Sequence, residues 1–132
     1  MRLWHYKLIP YLPDSQVRAQ WRELNTIYRK QPRHILINYI YDYDKVFLRD
    51  YSTLVIQEMF KRGFRINDFG NYANYFKTTG WCINSGRTYD EHDNDYLRQC
   101  FYNLQEKYYR GQKDFTHDCY DRLLQFYMNA NW

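Results

Sequence analysis

The sequence predicts an all-α fold: a single compact domain of three to four main helices with long loops. Three observations carry this expectation. Four segments repeat apolar residues every three or four positions. No pair of alternating runs around a tight turn signals a hairpin. The 132 residues make one domain, 1–132, long enough to bury about two-thirds of its unfolded surface without disulfides or metals.

Residues 1–12 hold Arg2, Trp4, His5 and Pro10, a stretch too short and too proline-bounded for a helix. Pro13-Asp14-Ser15 then reads as a helix start, its acidic residue matched to the positive end of the helix dipole. Val17, Trp21, Leu24 and Tyr28 form one apolar stripe, and Pro32 ends that helix. Residues 34–41 are a β-branched and aromatic run that fits either a buried extended segment or part of a helix. A second helix runs from about Lys45 to Arg62 on the stripe Leu48, Tyr51, Val55 and Met59. Lys61-Arg62-Gly63 stops it: cations at the negative helix end, then a glycine for the left-handed turn.

Residues 63–90 hold four of the five glycines and no lasting period, so they read as loops. A third helix starts near Asp93 or Asn94, follows Leu97, Phe101, Leu104 and Tyr108, and closes at Gly111. A fourth spans about Thr116 to Met128, with Tyr120, Leu123, Leu124 and Tyr127 inward.

Composition narrows the function classes. Hydrophobic residues are 45% and charged residues 26%, which excludes disordered and collagen-like chains. The mean hydropathy of -0.88 reflects sixteen tyrosines, apolar in one tally and polar in the other. No apolar run approaches the ~20 residues of a membrane span, and no signal-peptide pattern opens the chain. A cytoplasmic monomer without membrane contact is therefore expected. Cys82, Cys100 and Cys119 then read as three reduced thiols, mostly in the core, because no metal-ligand spacing links them. A net charge of +4 permits a polyanion partner, and aromatics at 21% supply rings suited to base stacking or to a tyrosine-rich core.

The first helix has more than one useful face. Arg18, Arg22, Asn25 and Arg29 share a stripe beside the apolar one. Glu23 lies off both, near Gln16, Ala19 and Ile27, where a partly covered carboxylate needs a cation. The pattern fits either a solvated arginine face with a surface glutamate, or a phosphate-binding stripe beside a held carboxylate. Lys61, Arg62 and Arg65 form a second basic group that fits helix capping or phosphate contact. His5, His34, His92 and His117 lack metal spacing and read as structural. The acidic run Asp90 to Asp95 reads as a helix N-terminus collecting carboxylates rather than a metal cluster.

Four blocks, in order, carry a family resemblance. They are Met1-Arg2-Leu3; Leu12 to Leu24, LPDSQVRAQWREL; Phe47-Leu48-Arg49 through Lys61-Arg62-Gly63-Phe64 with Ile66 and Asp68; and His92 with Leu104-Gln105-Glu106-Lys107. The chain resembles the phage-type pyrimidine-dimer DNA glycosylases, the endonuclease V family. The resemblance implies a small helical enzyme that cleaves a glycosidic bond in damaged double-stranded DNA and then nicks the strand, without metal or cofactor. It implies an N-terminal α-amine as nucleophile, forming a Schiff base at the sugar C1′, with a helix-borne glutamate in support. These map to Met1 and Glu23 as catalytic residues. Arg2 and Arg22 map to phosphate contacts, with Arg18, Arg29, Lys61, Arg62 and Arg65 as further candidates for DNA binding. Alternatives are a DNA-binding module without catalysis on the same scaffold, or a glycosylase for another damaged base.

The chemistry suits an α-amine, whose reference pKa of about 7.7–8.0 leaves far more free base at neutral pH than lysine's 10.4. Family members commonly begin with threonine after the initiator methionine is removed. Here the second residue is arginine, whose bulk is expected to block that removal and leave Met1 itself to carry the amine. The family's second helix-borne arginine, just past the glutamate, falls at Thr26.

Overall fold

In a computed structural model, residues 1–79 and 85–130 are described, and every regular element among them is helical. Four long helices stand where the apolar stripes put them: α1 (Asp14–Lys30), α2 (Lys45–Lys61), α4 (Asn94–Tyr109) and α5 (His117–Met128). A short α3 (Phe69–Tyr75) lies between α2 and α4. All four stripe residues of α1 and of α2 are buried, whereas Tyr108 of α4 and Leu124 and Tyr127 of α5 are half-buried.

Helix ends follow from local chemistry. Asp44, Asp93 and Thr116 cap α2, α4 and α5 by accepting backbone N–H bonds from Val46, Tyr96 and Cys119. The acidic run before α4 thus includes its cap. Gly63 and Gly111 take positive φ, and the next residue's N–H reaches back to the Met59 and Lys107 carbonyls. The start of α1 is capped from a distance. Pro13 offers no side-chain bond, and Asp114 of the α4–α5 connection instead accepts from the Ser15 N–H and hydroxyl, each at 2.7 Å. Burial alone would raise the Asp114 carboxyl, but these bonds hold it below its ordinary range. Gln31, not Pro32, closes α1: it takes φ 44°, and its side chain donates to the Ile27 and Tyr28 carbonyls.

Three stretches differ from the sequence expectation. Residues Tyr6–Tyr11 form a 3₁₀ turn around Pro10, although no helix is expected there. The i to i+3 pattern tolerates the missing proline N–H over so short a run, and the His5 Nδ1 caps it by accepting from Lys7 N–H. Residues 34–41 are neither extended nor α-helical. A turn from His34 leads into a second 3₁₀ turn, Asn38–Asp42, burying Ile37 and Ile40 but not Ile35 or Leu36. The expected loop over 63–90 contains α3, too short to show a period in sequence. It is held by ring packing, with Tyr28 of α1 meeting Tyr72, Tyr75 and Phe76 at centroid distances of 5.5 to 5.9 Å. Cys100 is buried and Cys119 half-buried, both as free thiols, while Cys82 falls outside the described residues.

The N-terminal stretch sits centrally. α1 packs on α2 and α3, and α4 on α5, while the Tyr6–Tyr11 turn packs on α2, α4 and α5. Leu3, Leu8, Ile9 and Leu12 are fully buried in the common core. The chain's first dozen residues therefore form the seam between two helical groups.

Candidate active site

An extended N-terminal segment has backbone polar groups that must find partners when buried. Residues 2–4 find them on three helices. Gln20 of α1, only 1% exposed, donates from Nε2 to the Arg2 carbonyl at 3.1 Å and accepts the Trp4 N–H at 2.9 Å. The Tyr51 hydroxyl of α2 donates to the Trp4 carbonyl at 2.6 Å and lies 3.0 Å from the Gln20 Oε1. The Tyr96 hydroxyl of α4 donates to the Leu3 carbonyl. The chain start is thus fixed against α1 one helical turn before Glu23.

The Glu23 carboxylate accepts a second hydrogen of the same Gln20 amide at 3.3 Å. Burial pushes its pKa up from the ordinary carboxylate range. Against burial act, in order, the terminal ammonium of Met1, the Arg2 backbone N–H, Arg22 and Lys107. A half-buried acid therefore faces the chain's own amine and cations from α1 and α4. Such a group can give or take a proton next to an amine.

Beneath this corner lies a histidine–tyrosine cluster. His5 and His92 are buried 5.4 Å apart among Tyr6, Tyr39, Tyr51 and Tyr96. His92 Nδ1 accepts from the Tyr6 N–H, and its Nε2 meets the Tyr39 hydroxyl at 2.7 Å. Burial lowers His5 to about 4 and His92 to about 3, so both are neutral at physiological pH. Their bonds support the N-terminal turn, in keeping with a structural role.

The candidate phosphate contacts divide. Arg18, Arg22, Arg29 and Arg65 line one cleft of about 850 Å³ with Asn25, Asn67 and Asn71. Three come from the α1 stripe and one from the segment after α2, and the Arg18 guanidinium rests on the Phe64 ring at 4.0 Å. Arg62 goes elsewhere. It bonds Glu58 at 2.7 Å, Asp14 at 2.9 Å, and the Leu12 and Pro10 carbonyls at 2.7 and 3.1 Å, so it clasps α2 to the N-terminal seam. Lys61 lines a separate hollow with Arg62 and Arg122. Arg2 is half-buried against α4, with Cys100 Sγ 3.9 Å from Nη1 and the Trp4 and Tyr96 rings at 5.7 and 6.0 Å. Its side chain is not part of the arginine cleft.

Sequence reasoning missed four residues of this corner. Gln20 lies one turn before Glu23, a polar residue on a face shared with Ile27, which hinted at burial. Tyr51 and Tyr96 were indistinguishable from core aromatics, and Lys107 comes near Glu23 only through tertiary packing. Among the described residues no three His, Cys, Asp or Glu side chains group to hold a metal ion, and no helix is long and apolar enough to cross a membrane.

The family model of pyrimidine dimer DNA glycosylase matches residues 1–70, a stretch that includes the N-terminal seam, α1 and α2. No curated protein and no solved structure matches the chain. With just over half of its 132 residues matched, including Met1, Glu23 and all four cleft arginines, the chain belongs to the pyrimidine dimer DNA glycosylase family of DNA-repair enzymes.

Proposed function

We propose that this glycosylase is bifunctional, an apurinic/apyrimidinic lyase as well, and that Met1 supplies the nucleophile through its α-amine while Glu23 manages the protons. The substrate is damaged duplex DNA carrying pyrimidine dimers. What carries the reading is the set of side-chain bonds from Gln20, Tyr51 and Tyr96 to residues 2–4, which holds the chain start beside the Glu23 carboxylate.

The amine nitrogen bonds to the sugar C1′ as the C1′–base bond breaks, and the base leaves with that electron pair and takes up a proton. The attached amine then sheds one proton and the C1′–O4′ bond opens, its electron pair leaving with the oxygen as that takes up a proton, which gives a protonated imine between Met1 and C1′. Loss of a C2′ proton drives out the 3′ phosphate, which nicks the strand. Water releases the sugar and restores the amine. Glu23 accepts the amine proton, returns one to the opening ring oxygen and faces the cation as it develops. Its raised pKa suits both directions of transfer. The cleft arginines 18, 22, 29 and 65 hold phosphates.

Selective acetylation of the α-amine near neutral pH tests the assignment, since lysines remain mostly protonated there. The expected result is loss of cleavage on UV-irradiated and abasic duplexes, with DNA affinity largely kept. Cleavage that survives full acetylation of Met1 contradicts the proposal.

A further inference from the structure

Beyond the end of α1 the chain makes a turn that exposes two adjacent apolar side chains. Ile35 is 86% exposed and Leu36 is also exposed. Single exposed apolar residues are ordinary; a contiguous pair on a braced turn is less so. The His34 N–H donates to Asn38 Oδ1 at 2.7 Å and the Leu36 N–H to His34 Nδ1 at 3.1 Å. The Ile37 and Asn38 N–H groups both reach the His34 carbonyl at 2.9 Å. Behind the tip, Ile37 and Ile40 are buried. At its base, Tyr41 donates its hydroxyl to the Pro32 carbonyl at 2.8 Å and carries the Arg33 guanidinium on its ring at 4.5 Å. These bonds brace the backbone of the tip, which lowers the ordering cost of binding.

Its neighbours are cationic. Arg29, Lys30 and Arg33, which precede it in the chain, are exposed, and Arg29 belongs to the arginine cleft. A second cleft, shared by Arg29 and Arg33, continues to Lys45 and Lys77. Branched apolar side chains on a hydrogen-bonded turn, next in the chain to phosphate-attracting cations, match a duplex whose bases can be parted by an apolar wedge.

We propose that Ile35, with Leu36 beside it, is a wedge that enters a base step of the bound duplex, parting the stack and kinking the duplex while the arginines grip its backbone. The wedge rests on the catalytic reading above and adds to it the residue that deforms the DNA.

The test uses the full chain on a duplex with one abasic site and 2-aminopurine scanned through the neighbouring steps. Wild type should raise the fluorescence at a discrete step. Ile35→Ser should lose that rise and cleave the paired duplex about a hundredfold more slowly, the scale of one unstacking step left undone. It should cleave the same strand unpaired at the wild-type rate and melt at the wild-type temperature, and Ile35→Leu should restore the duplex signal. If Ile35→Ser keeps the fluorescence rise and the duplex rate, or if wild type cleaves without opening any step, the wedge is overturned and the catalytic reading stands. If wild type neither binds nor cleaves the abasic duplex, both fall together.

Discussion

The two sides of α1 carry similar polar residues to opposite ends. On the side of Gln20 and Glu23, polar groups are shielded and engaged: one amide ties the N-terminal backbone and touches the carboxylate, which also feels the Met1 ammonium and Lys107. On the side of Arg18, Arg22 and Arg29, guanidinium groups line an open cleft. Burial strengthens electrostatics and leaves little freedom, so the first side suits chemistry; the second suits a polyanion held from solvent. Arg62 shows that the distinction lies in geometry and not in residue type, because its four bonds make an arginine into a structural clasp.

The sharpest way to break this contrast is Glu23→Gln. The account expects a cleavage rate about 10²- to 10⁴-fold lower, the usual worth of a positioned proton-transfer group, with DNA affinity nearly unchanged. Equal rates in single-turnover assays would make the shielded side structural and favour a module that binds without cutting.

Arg62→Ala tests the clasp. Glu58 and two carbonyls of the seam would lose their partner, a destabilisation on the order of 2–4 kcal/mol in denaturant titration. The salt dependence of DNA binding should not change, and a shallower slope would return Arg62 to the phosphate contacts.

Both halves of this comparison were only partly legible in the sequence. Periodicity revealed the stripe of Val17, Trp21, Leu24 and Tyr28, and the same helical arithmetic separated the arginines from Glu23, because both depend on spacing within one helix. Glycine and cation signals located the end of α2. The role of Gln20 and the nearness of Lys107 depend on residues far apart in the chain, which periodicity cannot sense. Lys61, Arg62 and Arg65 look equivalent as a basic cluster, yet after the Gly63 turn Arg65 lines the arginine cleft, while Lys61 and Arg62 border a separate hollow where Arg62 is bonded to Glu58. α3 escaped notice because it is held by the Tyr28 ring rather than by a pattern of its own.

The shielded side also predicts acid sensitivity. In the unfolded chain both His5 and His92 titrate near 6.5; in the fold they sit at about 4 and about 3. Below pH 6.5 the unfolded chain therefore binds protons that the folded chain refuses. Stability should be full above that pH and fall by a few kcal/mol as pH drops towards 4, levelling only below the folded values. Urea midpoints from pH 7.5 to 4 follow this directly, and His92→Gln should flatten the curve, whereas an unchanged slope would place the acid sensitivity in other groups.

The smallest effects belong to the open side. Arg22→Ala and Arg65→Ala should each weaken DNA binding severalfold and reduce the salt slope by about 0.9, with folding stability within about 0.5 kcal/mol of wild type. A slope that does not move for either removes the cleft from the interface.

The central claim is that the chain's own first nitrogen is the nucleophile, and Lys107 is the rival amine nearest in charge to Glu23. Borohydride reduction during reaction with abasic duplex, followed by peptide mapping of the trapped adduct, decides between them. The account predicts a single deoxyribose-phosphate adduct on the Met1 nitrogen. An adduct on Lys107, or none on an active preparation, would contradict it.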